Sequence, residues 1–277
     1  MILYASPTFL FRDRCPDHME EIMKRLRECG FDGIELFGMF GLARERILTL
    51  SRENGLHIVC DHIPYGEFSK NTEACVSARA ALGCRYLTVD RIPETLLPGR
   101  PGWSEAVREI HRIGKACRDQ GIQLLYHSHG YDLTRKAGNV PVLDRILEDT
   151  DPELLKFQPD LGWISLGGGD PAAYLDRWVD RCPVIHLKDY YADGPVLLDS
   201  PYVLGEKRGG EAFHHFEFRP SGYGVMNYAA LMPRILRCRP EWITTDHDMS
   251  YERDTFSDMA MSLRYVKELA ALYTQED

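Results

Sequence analysis

Two histidines stand two residues apart in "YHSHGYD" (126–132), at the end of the apolar run 122–127, and Asp132 follows three residues after the second. Successive side chains of a β-strand alternate between faces, so His127 and His129 can point into one pocket. Imidazoles placed in this way can bind a metal, hold a substrate, or simply end a strand, and their spacing leaves all three readings open. Other apolar runs carry or close on ionisable groups too. Glu35 lies in "GIELF", Asp61 and His62 follow "HIVC", and Asp90 and Arg91 follow "YLTV". Asp160 ends "LLKFQPD", His186 and Lys188 lie in "PVIHLKD", and Asp246, His247 and Asp248 come from "TTDHD". Imidazole nitrogen and carboxylate oxygen together suit a divalent cation such as Mn²⁺, Zn²⁺, Co²⁺, Mg²⁺ or Fe²⁺. Such a cation would also offset the mutual repulsion of crowded carboxylates. The expected ligands are His127, Asp160, His186 and Asp246, one from each of four consecutive runs. Taken singly, a strand-end Asp is more often a turn former; the expectation rests on the four together.

Groups from many separate runs can meet only if the runs are arranged side by side. Eight strand-like runs fall at 2–5, 33–37, 57–61, 86–90, 122–127, 154–160, 183–189 and 242–246, rich in Ile, Val, Leu and Tyr. Short continuous apolar runs of this kind suit strands buried on both faces. Helix-like segments alternate with them, at 16–30, 40–55, about 70–82, 103–120, 139–149, 170–179, 227–238 and 253–274. The first begins with Pro16 and acidic residues and stops at Gly30, while Asp170-Pro171 supplies an N-cap and a first-turn proline. Eight β-α units predict a parallel sheet closed into an α/β (β/α)₈ TIM barrel, with its chemistry at the C-terminal ends of the strands. An open doubly wound sheet is the alternative, but no GxGxxG follows the first strand. With no low-complexity linker, residues 1–277 are read as one domain. The long irregular stretch 190–224, which includes His214 and His215, is expected to be a lid or specificity loop.

Composition narrows the partners. The 277 residues are 44% hydrophobic and 27% charged, with a net charge of −9. No lysine or arginine run supplies the clustered positive charge that nucleic acid or an anionic membrane would require. No apolar stretch approaches the ~20 residues of a membrane span. The eight cysteines form no CxxC pair and are expected to be buried thiols in a reducing compartment. The N-terminus has no basic segment ahead of its apolar residues, so a cytoplasmic location is expected.

The stretch 156–190 resembles the xylose-isomerase-like sugar isomerase/epimerase superfamily. It carries Asp160-Leu161-Gly162-Trp163, Gly168-Gly169-Asp170-Pro171 and His186-Leu187-Lys188-Asp189 in the places of that superfamily's D-x-G-W/H, G-G-D-P and H-x-K-D elements. "CGFDGIELFG" (29–38), the His-x-His of "YHSHGYD" and "PSGYGVMNYAAL" (220–231) also look like family elements. The resemblance implies a TIM barrel with one divalent metal, whose usual ligands are Glu, Asp, His and Glu from strands 5 to 8. Asp160 and His186 match the middle two, and Asp246 falls on the last as a shorter carboxylate. His127 falls on the first, with Asp132 as the rival ligand. The activity implied is isomerisation or epimerisation of a keto-sugar or polyol through an enediolate, with Asp246 or Asp132 as base. His62, His129 and Lys188 would position hydroxyls or stabilise the oxyanion, and Trp163 would either stack on a sugar ring or pack in the core. Without the family's outer glutamates, simple epimerisation is in doubt. The alternative is a lyase or dehydratase acting on a keto-sugar, inosose or 3-keto-glycoside. A non-catalytic sugar-binding barrel would bind its ligand without metal. The partner is expected to be a small-molecule carbohydrate, bound by a monomer or a homo-oligomer, and a DNA endonuclease is disfavoured by the acidic charge.

Overall fold

The computed structural model describes residues 1–15, 17–89, 91–198, 203 and 215–274. Eight parallel strands form its centre: β1 (Leu3–Pro7), β2 (Gly33–Leu36), β3 (His57–Ile63), β4 (Tyr86–Val89), β5 (Gln123–His127), β6 (Leu155–Gln158), β7 (Val184–Ala192) and β8 (Trp242–Asp246). Each pairs with its sequence neighbour, and β8 pairs with β1. Between β6 and β7 the ring closes through a single parallel bridge, Asp160 to His186, backed by the His186 N–H donating to the Pro159 carbonyl at 2.9 Å. The fold is the expected (β/α)₈ barrel.

Strand alternation sorts the side chains into two cores. Ile34, Leu36, Leu124, Tyr126, Ile185, Leu187 and Ile243 face outward and pack under the helices. Ala5, Val59, Tyr86, Leu125, Val184 and Trp242 form an apolar plug inside the barrel. One step further along the same inward faces the residues turn polar: Thr88, His127, His186 and Thr244. The plug thus seals one end and leaves a polar mouth at the strands' C-terminal ends, the usual site end of this architecture.

The outer helices follow the start and stop signals of the sequence. Met19–Cys29 carries Glu20 and Glu21 in its first turn and ends at Gly30, whose φ of 98° lies in the left-handed region. Asp170 accepts from the Ala172 N–H, with Pro171 at the first helical position of Pro171–Arg177. Strict alternation does not hold, because short helices at Tyr65–Lys70, Gly130–Thr134 and Leu161–Leu166 follow β3, β5 and β6. They are too short for hydrophobic periodicity to reveal.

The described residues of the stretch 190–224 include regular structure. β7 runs on to Ala192 and pairs antiparallel with Phe216–Arg219, forming an arm over the mouth. Asp189 anchors its return: its carboxylate accepts N–H bonds from Tyr190, Gly222, Gly224 and Met226 at 2.8–3.0 Å. The last residue of the His-x-Lys-Asp element therefore holds a loop. Pro16, Asp90 and His214 lie outside the described residues, as do 199–202 and the rest of 204–214.

Gly162 has a steric role. A Cβ there would lie 2.4 Å from the Lys188 carbonyl oxygen and 2.9 Å from its carbonyl carbon, both backbone atoms that cannot swing away. Gly162→Ala should cost about 1–3 kcal/mol of unfolding free energy, read from urea denaturation. An unchanged midpoint would show that the Leu161–Leu166 helix does not need this close approach to β7.

Candidate active site

The mouth is built around Glu35. The pairing of β2 with β3 shifts register here, from Ile34 opposite Ile58 to Glu35 opposite Cys60. A register irregularity of this kind re-aims side chains, and the Glu35 carboxylate ends up fully buried inside the barrel. Five side chains surround it: His62 Nε2 at 2.9 Å, His186 Nε2 at 3.1 Å from both oxygens, Gln158 Nε2 at 3.1 Å, Cys60 Sγ at 3.1 Å, and the Thr244 hydroxyl. Thr88 donates to Gln158 Oε1 at 3.1 Å, which turns the Gln158 amide N–H toward Glu35. Burial opposes the charge on Glu35, but His186 and His62 outweigh it, holding the carboxyl well below the usual carboxylate range.

A second group adjoins the first. His127, Asp160 and His186 each bring one ligating atom within 4.8 Å of the others. Asp160 Oδ1 accepts from the Trp163 N–H at 2.9 Å, capping the Leu161–Leu166 helix. Its other oxygen, Oδ2, is buried without a hydrogen-bond partner among the described residues, with His127 Nε2 at 3.9 Å and Lys188 Nζ at 3.7 Å. A buried carboxylate oxygen with no bonded donor is costly, and burial pushes the Asp160 carboxyl up to about 7 despite the opposing pull of Lys188. Burial and the neighbouring His186 keep His127 well below the usual imidazole range, so its ring is neutral and can offer a lone pair. Two imidazoles and a carboxylate oxygen lacking a donor fit a divalent cation.

Asp246 sits differently. Its Oδ2 lies 2.9 Å from Lys188 Nζ and 3.2 Å from His186 Nδ1. Lys188, itself buried, also reaches Asp248 Oδ1 at 2.6 Å. Burial works against both charges, yet Lys188 and His186 hold Asp246 below the carboxylate range, while Asp246, Asp248 and Asp160 hold Lys188 above the usual amine range. The structure thus gathers His127, Asp160 and His186 as one group and ties Asp246 to Lys188 beside it.

The remaining candidates divide between the mouth and its supports. His62 stacks on Phe37 at 4.0 Å and leaves Nδ1 buried and, among the described residues, unpartnered. His129 lies 5.0 Å from His127, ring to ring, stacks on Tyr131 and has an Nδ1 unpartnered among the described residues, so the two histidines lie side by side. Asp132 belongs to neither of these groups; its Oδ2 accepts the His129 N–H at 2.9 Å and closes the first turn of Gly130–Thr134. Trp163 is 2% exposed, packed edge-on to Phe218 with Lys188 Nζ 5.4 Å above its ring. Asp61 is a support, accepting from Gly38 N–H and Arg79 Nε. His247 likewise pairs with Ser250 and Asp258. The reading by strand ends left Glu35 without a role because Glu35 lies within its run. A charged residue inside a strand buried on both faces was the available signal.

The family described as xylose isomerase-like TIM barrel matches residues 23–263. An inosose dehydratase of Geobacillus kaustophilus is 26% identical over 201 residues, covering 64% of this chain and 64% of its own. The chain therefore spans less than two thirds of that curated relative's length. A sugar phosphate isomerase/epimerase structure from Parabacteroides distasonis superposes with a TM-score of 0.75 at 18% identity, over 98% of this chain and 95% of its own. A xylose isomerase-like TIM barrel protein from Mycobacterium smegmatis, solved in complex with magnesium, gives 0.68 at 18% identity, over 98% and 97%.

Asp132 makes the local pH dependence testable. Burial pushes its carboxyl up to about 7, despite the His129 N–H, whereas an unfolded Asp titrates near ~3.9. Between those values the native chain holds a proton that the unfolded chain has lost, so stability falls as pH rises through the window. Urea unfolding at pH 5 and pH 8 should show Asp132→Asn gaining roughly 2 kcal/mol on the parent across that interval. A constant difference would mean that Asp132 titrates normally.

Proposed function

The chain belongs to the xylose isomerase-like TIM barrel family, and from that premise we propose that it is a divalent-metal-dependent dehydratase of a cyclic keto-sugar or keto-polyol, with residues 1–277 acting as one domain. The carrying observation is the buried trio of His127, Asp160 and His186, with the Asp160 oxygen left without a donor. These three would hold the cation. When bound, it would polarise the substrate carbonyl and acidify the adjacent C–H. The curated inosose dehydratase relative and the magnesium-bound neighbour support the same reading.

The chain's own residues supply the proton chemistry. Asp246 is the proposed base: its carboxylate is ionised, and Lys188 and His186 fix its direction. It takes the proton next to the carbonyl. The freed electron pair forms the carbon–carbon double bond, and the hydroxyl on the next carbon leaves as water, taking the proton that Asp246 has just accepted. Lys188 stabilises negative charge developing beside Asp246. His62 and His129, with buried unpartnered Nδ1 atoms, offer hydrogen-bonding partners to substrate hydroxyls. Trp163 supports Lys188 from below, and Asp132 holds His129 in place.

Isomerisation or epimerisation through an enediolate is the second reading. It uses the same base and cation site, and the Asp246–Lys188 pair is compatible with it. Elimination is preferred because the two mouth positions that would carry opposed carboxylates hold His127 and Asp246. A single carboxylate base suffices for elimination, whereas epimerisation requires proton delivery on both faces of one carbon.

Turnover of a keto-sugar and inosose panel, followed by mass, should show loss of water, abolished by chelator and restored by Mn²⁺ or Mg²⁺. Retained mass with deuterium incorporation from D₂O would favour the isomerase reading instead. No turnover and no exchange on any member would reject both. Asp246→Asn should keep the metal and lower kcat by at least ~10²; a smaller drop would remove Asp246 as base.

A further inference from the structure

The buried Glu35 has no part in the proton chemistry proposed above, yet it touches one of the proposed ligands directly. His186 has both ring nitrogens engaged: Nε2 lies 3.1 Å from each Glu35 oxygen, and Nδ1 lies 3.2 Å from Asp246 Oδ2. An ionised carboxylate can only accept hydrogen bonds. Glu35 is surrounded by side chains able to donate to it, from His62, Gln158, Cys60 and Thr244, and no cation is needed to compensate it. Its partner on His186 must therefore be an N–H, which places a proton on Nε2. Nδ1 faces the ionised Asp246 and also carries a proton while no cation is bound; because Glu35 retains the Nε2–H, the Nδ1 proton is the one a cation would displace.

We propose that Glu35 is a positioning residue for the cation site: by accepting the Nε2–H of His186 it fixes that ring's tautomer and orientation, presenting Nδ1 to the mouth. The inference rests on the cation-binding reading above and assigns Glu35 a job within it. Ligand histidines generally donate their second N–H to a carboxylate or carbonyl, and losing that partner weakens metal binding by ~10–100-fold. The fold supplies the required rigidity. The register shift between β2 and β3 aims Glu35 inward, and Gly33, two residues earlier, has backbone and side-chain atoms within 2.9 Å of where a Cβ would be. Thr244 and Gln158 hold the carboxylate from the sides. A competing assignment makes Glu35, His62 and His186 ligands of a cation themselves, since their atoms also lie within 4.8 Å of one another.

Mn²⁺ titration of the metal-free, full-length protein, followed by electron paramagnetic resonance, separates these cases. Glu35→Gln should keep one Mn²⁺ per chain and weaken its Kd by ~10–100-fold. Cys60→Ala removes a Glu35 partner that does not touch His186 and should leave Kd within about threefold. Should Glu35→Gln not fold, Thr244→Val withdraws the hydroxyl that orients Glu35 and should weaken Kd by at least about threefold. A folded Glu35→Gln, or in its place Thr244→Val, with parental Kd would overturn the proposal. So would a parent that binds two ions and loses one on Glu35→Gln, or a Cys60→Ala as weak as Glu35→Gln. A parent that binds no Mn²⁺ would instead reject the cation site itself.

Discussion

A carboxylate buried inside a closed barrel must be surrounded by donors, and the ring of donors around Glu35 organises the mouth of this protein. Side chains from β3, β6, β7 and β8 converge on its two oxygens. Each of those strands then continues to, or is followed by, a residue that faces the mouth. The cost of burying the Glu35 charge fixes the rotamers beneath the site, because leaving any of these donors unpaired would cost about 1–3 kcal/mol. His186 belongs to the Glu35 ring, to the His127–Asp160 group and, through Nδ1, to the Asp246–Lys188 pair. Its backbone also carries the bridge to Asp160 that closes the barrel. The residue whose backbone closes the barrel is therefore also the one that all three groups of the site share.

Charge is arranged in tiers above this ring. Glu35 is paired with histidines, Asp246 and Asp248 with Lys188, and Asp160 keeps one oxygen without a bonded donor. The contrast between these compensated carboxylates and the uncompensated Asp160 oxygen is what a cation would resolve. Neutral His127 and His129 line the same pocket, and burial keeps both below the usual imidazole range. A polyhydroxylated ligand suits such walls, since their unpartnered nitrogens can bond hydroxyls without bringing in further charge.

Much of this was legible in the sequence, for definite reasons. Strands buried on both faces write themselves as continuous apolar runs, so all eight barrel strands were readable, and with them the rim residues His127, Asp160, His186 and Asp246. Helix ends at Gly30 and Asp170 followed from backbone chemistry that any sequence shows. The short helices at Tyr65–Lys70, Gly130–Thr134 and Leu161–Leu166 were not readable, because one or two turns leave no period. The place of Asp132 depended on where the chain turns after β5: the turn folds its carboxylate back onto the His129 N–H, which spacing cannot reveal. Glu35 was visible as a charge in an apolar strand, but its role required knowing that β2 shifts register against β3 and which strands face it across the barrel.

Anomalous diffraction at the manganese edge from Mn²⁺-soaked crystals tests the central claim most directly. The account predicts one strong peak bounded by His127, Asp160 and the Nδ1 side of His186, with the Glu35 contact to His186 Nε2 kept. A peak between Glu35, His62 and His186, or no peak at the barrel mouth, would contradict it.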